Sequence, residues 1–367
     1  MKNVKSKENG IRSRQHRLRI RISGLRADAI VVSHPADVRY LCGFTGSNAF
    51  LLLSAESATL LTDSRYTIQA KEECPSVRVH IARRSLLTEA GAFLARSRKK
   101  QRVIFAPGQL TVAQFDALRK AAGSKIRWKG VPSLVAELRA VKDAHEIGEM
   151  RQAALLASEV FSELLPIIRP GTLECELAAE IEYKIRRKGA EGSSFETIVA
   201  SGPRSALPHA RPTSKPIAKN ELVVLDLGAI LRGYCSDITR TVFVGRASRR
   251  IREWYHAVLE AQSAAIGVLA PGVTAGEVDA AARRVLRRHR LAQFFTHSTG
   301  HGLGLEVHEV PRLGRREKTQ LAQGNVVTIE PGVYIEGAGG IRIEDDVVVT
   351  ETGPEILTSA PKEFLEL

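Results

Sequence analysis

Sulfur and aromatic side chains are scarce in this chain. Its four cysteines stand at 42, 74, 175 and 235, with no CxxC pair. That spacing excludes a zinc ribbon and offers no disulfide framework, so reduced, mostly buried thiols are expected. Aromatic residues make up only 5% of the chain, which removes most of the stacking platforms that single-stranded nucleic acid requires. No stretch approaches the roughly 20 apolar residues needed to span a bilayer. The opening "MKNVKSKENGIRSRQHRLRIR" is basic but has no apolar h-region and does not read as a secretion signal. A cytoplasmic location without a membrane partner is expected, with residues 1–18 as a basic, disordered leader.

Positive charge, by contrast, is abundant: 54 Lys and Arg against 40 Asp and Glu give a net charge of +14. The basic clusters "RRSLL", "RSRKKQR", "GRASRRIR" and "RRVLRRHR" are scattered along the chain. Dispersed charge of this kind suits a solvated surface better than a nucleic-acid footprint. A length of 367 residues leaves room for two cores.

Residues 20–135 read as one α/β unit. "AIVVS", "AFLLLSAESATLLTD" (two strands about a turn), "VRVHIA" and "RVIFA" are strand-like, with helical periods between them. A long amphipathic helix is predicted over 140–168, opened by Asp143 and Glu146 as a capping box. A faint repeat follows. "RPGTLECEL" from Arg169 and "APGVTAGEV" from Ala270 each place a Pro-Gly turn before an amphipathic helix, with Glu176 aligned to Glu277. Each helix is succeeded by a valine-rich strand with one acid, Asp226 or Glu330, and then by a strand with a second, Asp237 or Glu344. A period of about one hundred residues is too long for a solenoid. Two half-domains about a pseudo-two-fold axis are expected instead.

These four acids stand among Val, Leu and Ile, where a carboxylate needs a cation or a proton. Arginine pairing is one reading, with Arg240 near Asp237 and Arg342 beside Glu344. Four convergent carboxylates, however, carry more charge than two arginines meet, and divalent metal meets it better. Four acids with one imidazole form a hard, oxygen-rich site suited to Mn²⁺, and also to Co²⁺, Fe²⁺ or Zn²⁺. The set is large enough for two ions about 3.5–4 Å apart. In "HSTGHGLGLEVHEVP", His301 is the best nitrogen ligand, set between glycines that would let a ligand approach the backbone. An extended strand would place His308 at a cleft edge, as a substrate contact or a donor to a developing oxyanion. His297 is either an orienting neighbour of the ligands or a core histidine. His209, in "ASGPRSALPHARPT", is either functional or an ordinary loop histidine.

Together "PHARPT", "LDLGA", "SDITRT", "GHGLGLEVHEVP", "TIEPGVY" and "RIED" closely resemble the pita-bread metallopeptidase family of aminopeptidase P, prolidase and methionine aminopeptidase. "DVRYLCGFTGSNAFLLL" with "LLTDSRYTIQA" is similar to the N-terminal domain of aminopeptidase P, prolidase and creatinase. The resemblance implies an α/β (α+β) fold. A creatinase/prolidase-type α/β domain would span 19–138, and a pseudo-two-fold pita-bread catalytic domain with a curved, mainly antiparallel sheet would span 139–367. It implies two divalent metals, manganese first, on Asp226, Asp237, His301, Glu330 and Glu344. His209 and His308 would contact substrate and stabilise the tetrahedral intermediate, and Glu330 would shuttle a proton from a bridging water. Arg342 would support the metal's acids, with Tyr334 nearby. The implied activity is an Xaa-Pro aminopeptidase acting on peptides with proline second, in a homodimer. The close alternative is a prolidase limited to Xaa-Pro dipeptides. Creatinase-like chemistry is disfavoured because all five ligand positions are intact, as is a non-enzymatic binding protein.

Overall fold

The strand-like runs of the first third assemble into one mixed sheet. The computed structural model describes residues 2–97 and 99–367, with side chains described from residue 10 onward. Two units result, Met1–Arg139 and Ala140–Leu367.

In the first unit β1 (Ala29–Val32), β2 (Ala49–Ser54), β3 (Ala58–Thr62), β4 (Arg78–Ile81), β5 (Gln101–Phe105) and β6 (Ile126–Gly130) lie in the order β4-β3-β2-β1-β5-β6. β1–β2 and β2–β3 are antiparallel pairs, while β3–β4, β1–β5 and β5–β6 are parallel. Strand β6 is not legible in "IRWKG", because its charged residues face solvent along a sheet edge. Of the helices α1 (Lys2–Gly24), α2 (Pro35–Cys42), α3 (Thr67–Glu73), α4 (Leu86–Ala95), α5 (Val112–Ala122) and α6 (Leu134–Ala140), α4 and α5 cover one sheet face. Leu86, Ala90, Leu94 and Leu118 pack there on Val31, Leu52 and Val103.

Helix α1 corrects one expectation. Residues 2–18, expected to be disordered, are helical; Met1 and the side chains of 2–9 lie outside the described residues. Ile11, Leu18 and Ile22 recur at helical spacing and are buried. Gln15 Nε2 donates to the Leu41 carbonyl at 2.8 Å, and the Arg14 guanidinium lies 4.4 Å over the Tyr40 ring. The stripe is thin and interrupted by arginines, so basic composition hides it.

The second unit is built twice. Helix α7 (Ala144–Leu164) starts at the expected box: Glu146 N–H donates to Asp143 Oδ1 at 2.9 Å, and Asp143 N–H to Glu146 Oε2 at 3.0 Å. Helix α8 (Glu174–Arg187) follows, then the strand pair Glu221–Leu227 and Ile238–Val244. The second half has α9 (Arg249–Gly267), α10 (Ala275–Arg288) and the pair Val326–Ile329 and Asp345–Thr350. Gly171 and Gly272 adopt φ of 93° and 88° in the two Pro-Gly turns, a conformation that glycine reaches without strain. Their N–H groups donate to equivalent carbonyls, Ile217 at 2.9 Å and Leu321 at 2.8 Å. Glu176 and Glu277 each accept from the backbone N–H three residues earlier, at 3.1 and 2.8 Å. The half-domains expected from the repeat are therefore present, each with its own apolar core, and the strands of both are antiparallel.

Candidate active site

Strand pairing brings the acids of both halves together. Asp226 lies opposite Thr239 in the first half's hairpin, two residues beyond Asp237. From the second half, the Glu344 N–H donates to the Thr239 carbonyl at 3.1 Å. The Thr239 hydroxyl then donates to Glu344 Oε2 at 2.6 Å. Glu330 follows the Val326–Ile329 strand, its N–H bonded to the Thr299 carbonyl at 2.8 Å. The His301 N–H is held by Thr328 Oγ1 at 3.1 Å.

His301 Nδ1 bonds the Gly302 carbonyl at 3.0 Å. A carbonyl only accepts, so Nδ1 carries the proton and Nε2 presents its lone pair. That atom lies 3.7 Å from Asp237 Oδ2 and 3.6 Å from Glu330 Oε1. One donor atom each of Asp237, His301 and Glu344 falls within 4.8 Å of the others, a spacing that fits a shared cation. Asp226 Oδ1 and Asp237 Oδ1 are buried without a hydrogen-bond partner. Orphaned carboxylate oxygens beside a bare imidazole nitrogen fit a divalent metal.

The electrostatics agree with this reading. Burial, then Glu344 and Asp226, push the Asp237 carboxyl well above its ordinary value. Burial and Glu330 do the same to Glu344. Glu330 is pushed up to about 7 by burial and Asp226, against the pull of Arg342. Burial lowers His301 to about 4, keeping the imidazole neutral. These carboxyls resist ionising together, and a bound cation would remove that resistance.

Arg342 links the acids to a chain of donors. Its Nη2 donates to Asp226 Oδ2 at 2.6 Å, its Nε to Thr239 Oγ1 at 2.9 Å and its Nη1 to the Tyr334 hydroxyl at 2.8 Å. The Tyr334 hydroxyl lies 2.9 Å from His297 Nε2, and His297 Nδ1 bonds the Ser298 carbonyl at 2.8 Å. With Nδ1 donating to that carbonyl, Nε2 accepts from the tyrosine. Burial raises Tyr334 to about 12 and lowers His297 to about 4, so both stay neutral.

Residues 148–351 match metallopeptidase family M24. The chain belongs to that family. Residues 14–141 match the creatinase/prolidase N-terminal domain. An Xaa-Pro dipeptidase from Bacillus anthracis has a solved structure similar to this M24 peptidase at TM-score 0.93 and 38% identity, covering 97% of this chain and 100% of that one. The X-Pro aminopeptidase from Thermotoga maritima gives TM-score 0.89 at 38% identity over 96% and 99%. The Xaa-Pro dipeptidase of Pyrococcus furiosus is 36% identical over 92% of this chain and 95% of its own. The pita-bread resemblance and the α/β two-domain class thus hold, and divalent metal is the family's cofactor class.

In this M24 peptidase the arginine pairings differ from those expected. Arg240 bonds Asp345 at 2.7 Å rather than Asp237, and Arg342 bonds Asp226 rather than Glu344. Burial raises Asp345, but Arg240 and Lys362 outweigh it and hold the carboxyl down at about 2. His308 lies in a bend just before the Glu309–Leu313 strand, not within it. Its ring is exposed, with its centroid 4.4 Å from that of His301. His209 is exposed on a turn whose preceding carbonyl, Pro208, accepts from Arg342 Nη1 at 3.2 Å. The glycines on either side of His301 are required by packing. A Cβ at Gly300 would stand 1.8 Å from the Thr328 carbonyl oxygen, and one at Gly302 would stand 2.4 Å from that of Val310. Sequence reasoning missed Thr239, Thr328 and Asp346, whose Oδ2 accepts from the Asp237 N–H at 3.0 Å. Threonines in valine-rich strands and a second acid after Glu344 were the available signals. Among the described residues, no helix is long and apolar enough to cross a membrane.

Proposed function

We propose that this M24 peptidase is an Xaa-Pro dipeptidase that splits the peptide bond before a C-terminal proline. The dipeptidases alike over nearly its whole length favour this over the aminopeptidase reading that its motifs first suggest. The Thermotoga aminopeptidase keeps that second reading in view. The observation that carries peptidase chemistry is the cluster of Asp237, His301 and Glu344, with the orphaned carboxylate oxygens of Asp237 and Asp226.

Asp226, Asp237, His301, Glu330 and Glu344 would hold two divalent ions, with manganese the first choice. Such ions, when bound, supply Lewis-acid polarisation and an acidified water. The protein's own groups do the rest. Arg342 holds Asp226 in place and neutralises part of the acid cluster. Thr239 fixes the rotamer of Glu344. Glu330, half-buried beside His301, takes and returns a proton at its carboxylate. His308, edge-on to His301, and His209, on its turn beside Arg342, contact the substrate and stabilise charge developing on the carbonyl oxygen.

The test is alanine release from Ala-Pro and Ala-Pro-Ala by metal-stripped protein reconstituted with Mn²⁺. Cleavage of the dipeptide alone supports the proposal. Cleavage of the tripeptide makes the protein an aminopeptidase. Inactivity on both with Mn²⁺, Co²⁺ and Zn²⁺ overturns the Xaa-Pro reading.

A further inference from the structure

Glu174, in the first turn of α8, is completely buried, and its carboxylate is saturated by one loop. Oε1 accepts from the Ser201 N–H at 2.8 Å and the Ser201 hydroxyl at 2.9 Å. Oε2 accepts from Arg204 Nε at 3.0 Å, the Thr213 N–H at 3.1 Å and the Thr213 hydroxyl at 2.8 Å. Ser201 and Thr213 are the two stems of the segment that carries His209 at its tip. Arg204 Nη2 spans the same loop to the Arg211 carbonyl at 2.6 Å. One carboxylate therefore closes the loop at its base, while Arg342 holds its tip through Pro208.

The internal repeat separates this role from helix capping. Ala275 occupies the position equivalent to Glu174 in the second half. There Glu277, in the place of Glu176, takes the N-cap N–H in the same way, and Thr274 adds a side-chain cap that Leu173 does not supply. The neighbouring backbone bonds are also matched. Glu174 N–H reaches Lys215 O at 3.1 Å as Ala275 N–H reaches Thr319 O at 2.9 Å; Cys175 N–H reaches Thr213 O at 3.0 Å as Gly276 N–H reaches Glu317 O at 2.9 Å. The helix start and the backbone bonds to its neighbouring segment thus form without an acid here. The acid occurs in the half that bears the histidine loop. Burying a carboxylate is costly unless several donors meet it, and five donors from three loop residues do so.

We infer that Glu174 is a positioning residue: it latches the 201–213 loop so that His209 is held ready for substrate. This rests on the substrate-facing role proposed for His209. Misplacing a catalytic contact by about 1 Å can cost on the order of a hundredfold in rate.

The experiment compares Glu174→Gln, Thr213→Val, His209→Ala and the Glu174→Gln/His209→Ala double variant, all loaded with Mn²⁺. Glu174→Gln should lower kcat/KM for Ala-Pro about ten- to hundredfold, with Mn²⁺ content unchanged and faster amide hydrogen exchange confined to 201–213. Thr213→Val, which keeps the carboxylate but removes one donor, should move both readouts the same way by less. In the His209→Ala background Glu174→Gln should add no further loss, because both changes remove one contribution. Independent, multiplying losses, or unchanged exchange in the loop, would overturn the inference. Should the wild type cleave neither peptide, the proposed function fails on its own, and loop exchange in Glu174→Gln still decides whether the latch exists.

Discussion

Arg342 Nη2 and Asp226 Oδ2 meet at 2.6 Å, joining the second half of the catalytic unit to an acid of the first. Both side chains are almost wholly withdrawn from solvent. Removing the guanidinium leaves Asp226 facing the other carboxylates without its cation. Breaking a buried pair from one side typically costs about 3–5 kcal/mol. Arg342→Met should therefore lower the stability of the metal-free protein by an amount of that order. The loss should be smaller once Mn²⁺ is bound, since the ion replaces the missing charge. Chemical denaturation with and without metal measures both; an equal loss in the two states would show that Asp226 is not a ligand.

Thr239 touches Glu344 and Arg342 at once. Thr239→Val keeps the strand and the side-chain shape while removing the hydroxyl. Groups that orient metal ligands commonly contribute about 10- to 100-fold in metal affinity or activity. A drop of that size in Mn²⁺ affinity is expected by titration calorimetry, with the fold intact by circular dichroism.

The raised carboxyls give the metal-free protein an inverted pH response. Glu330 titrates near 7 in the folded chain and in the ordinary carboxylate range when unfolded. Its contribution to stability is thus fully present below the unfolded value and is lost as pH rises through about 7. Asp237 and Glu344 are shifted in the same direction. The melting temperature of metal-stripped protein should fall between pH 5 and pH 8, less steeply in Glu330→Gln. Saturating Mn²⁺ should stabilise more at pH 8 than at pH 5, because protons and metal compete for the same oxygens. A flat metal-free profile would contradict the arrangement of acids described above.

Leu18 is completely buried although it lies in a strongly basic helix. Leu18→Ala should destabilise the first unit by about 2–5 kcal/mol. A disordered leader would tolerate the change with no shift in melting temperature.

The metal-seeking character of the chain was legible before any fold was known. Four acids set among valines, repeated at a period of about a hundred residues, need a cation or a proton to be buried, and that is a property of residue type and spacing. The capping box at Asp143 and the paired Pro-Gly turns were equally readable, because helix starts depend on side chains within three or four residues of each other. Tertiary structure alone decided which charges meet. Arg342 lies closer in sequence to Glu344 but pairs with Asp226, 116 residues away, because strand register brings Asp226 to Thr239 and Thr239 to Arg342. Arg240 likewise passes over Asp237 for Asp345. The edge strand β6 and the buried face of α1 were hidden for a related reason: their charged residues dominate the local pattern, and only the neighbouring sheet and helices show which side is covered. The latch at Glu174 belongs to the same class, since a carboxylate's partners are set by the path of a loop that begins 27 residues away.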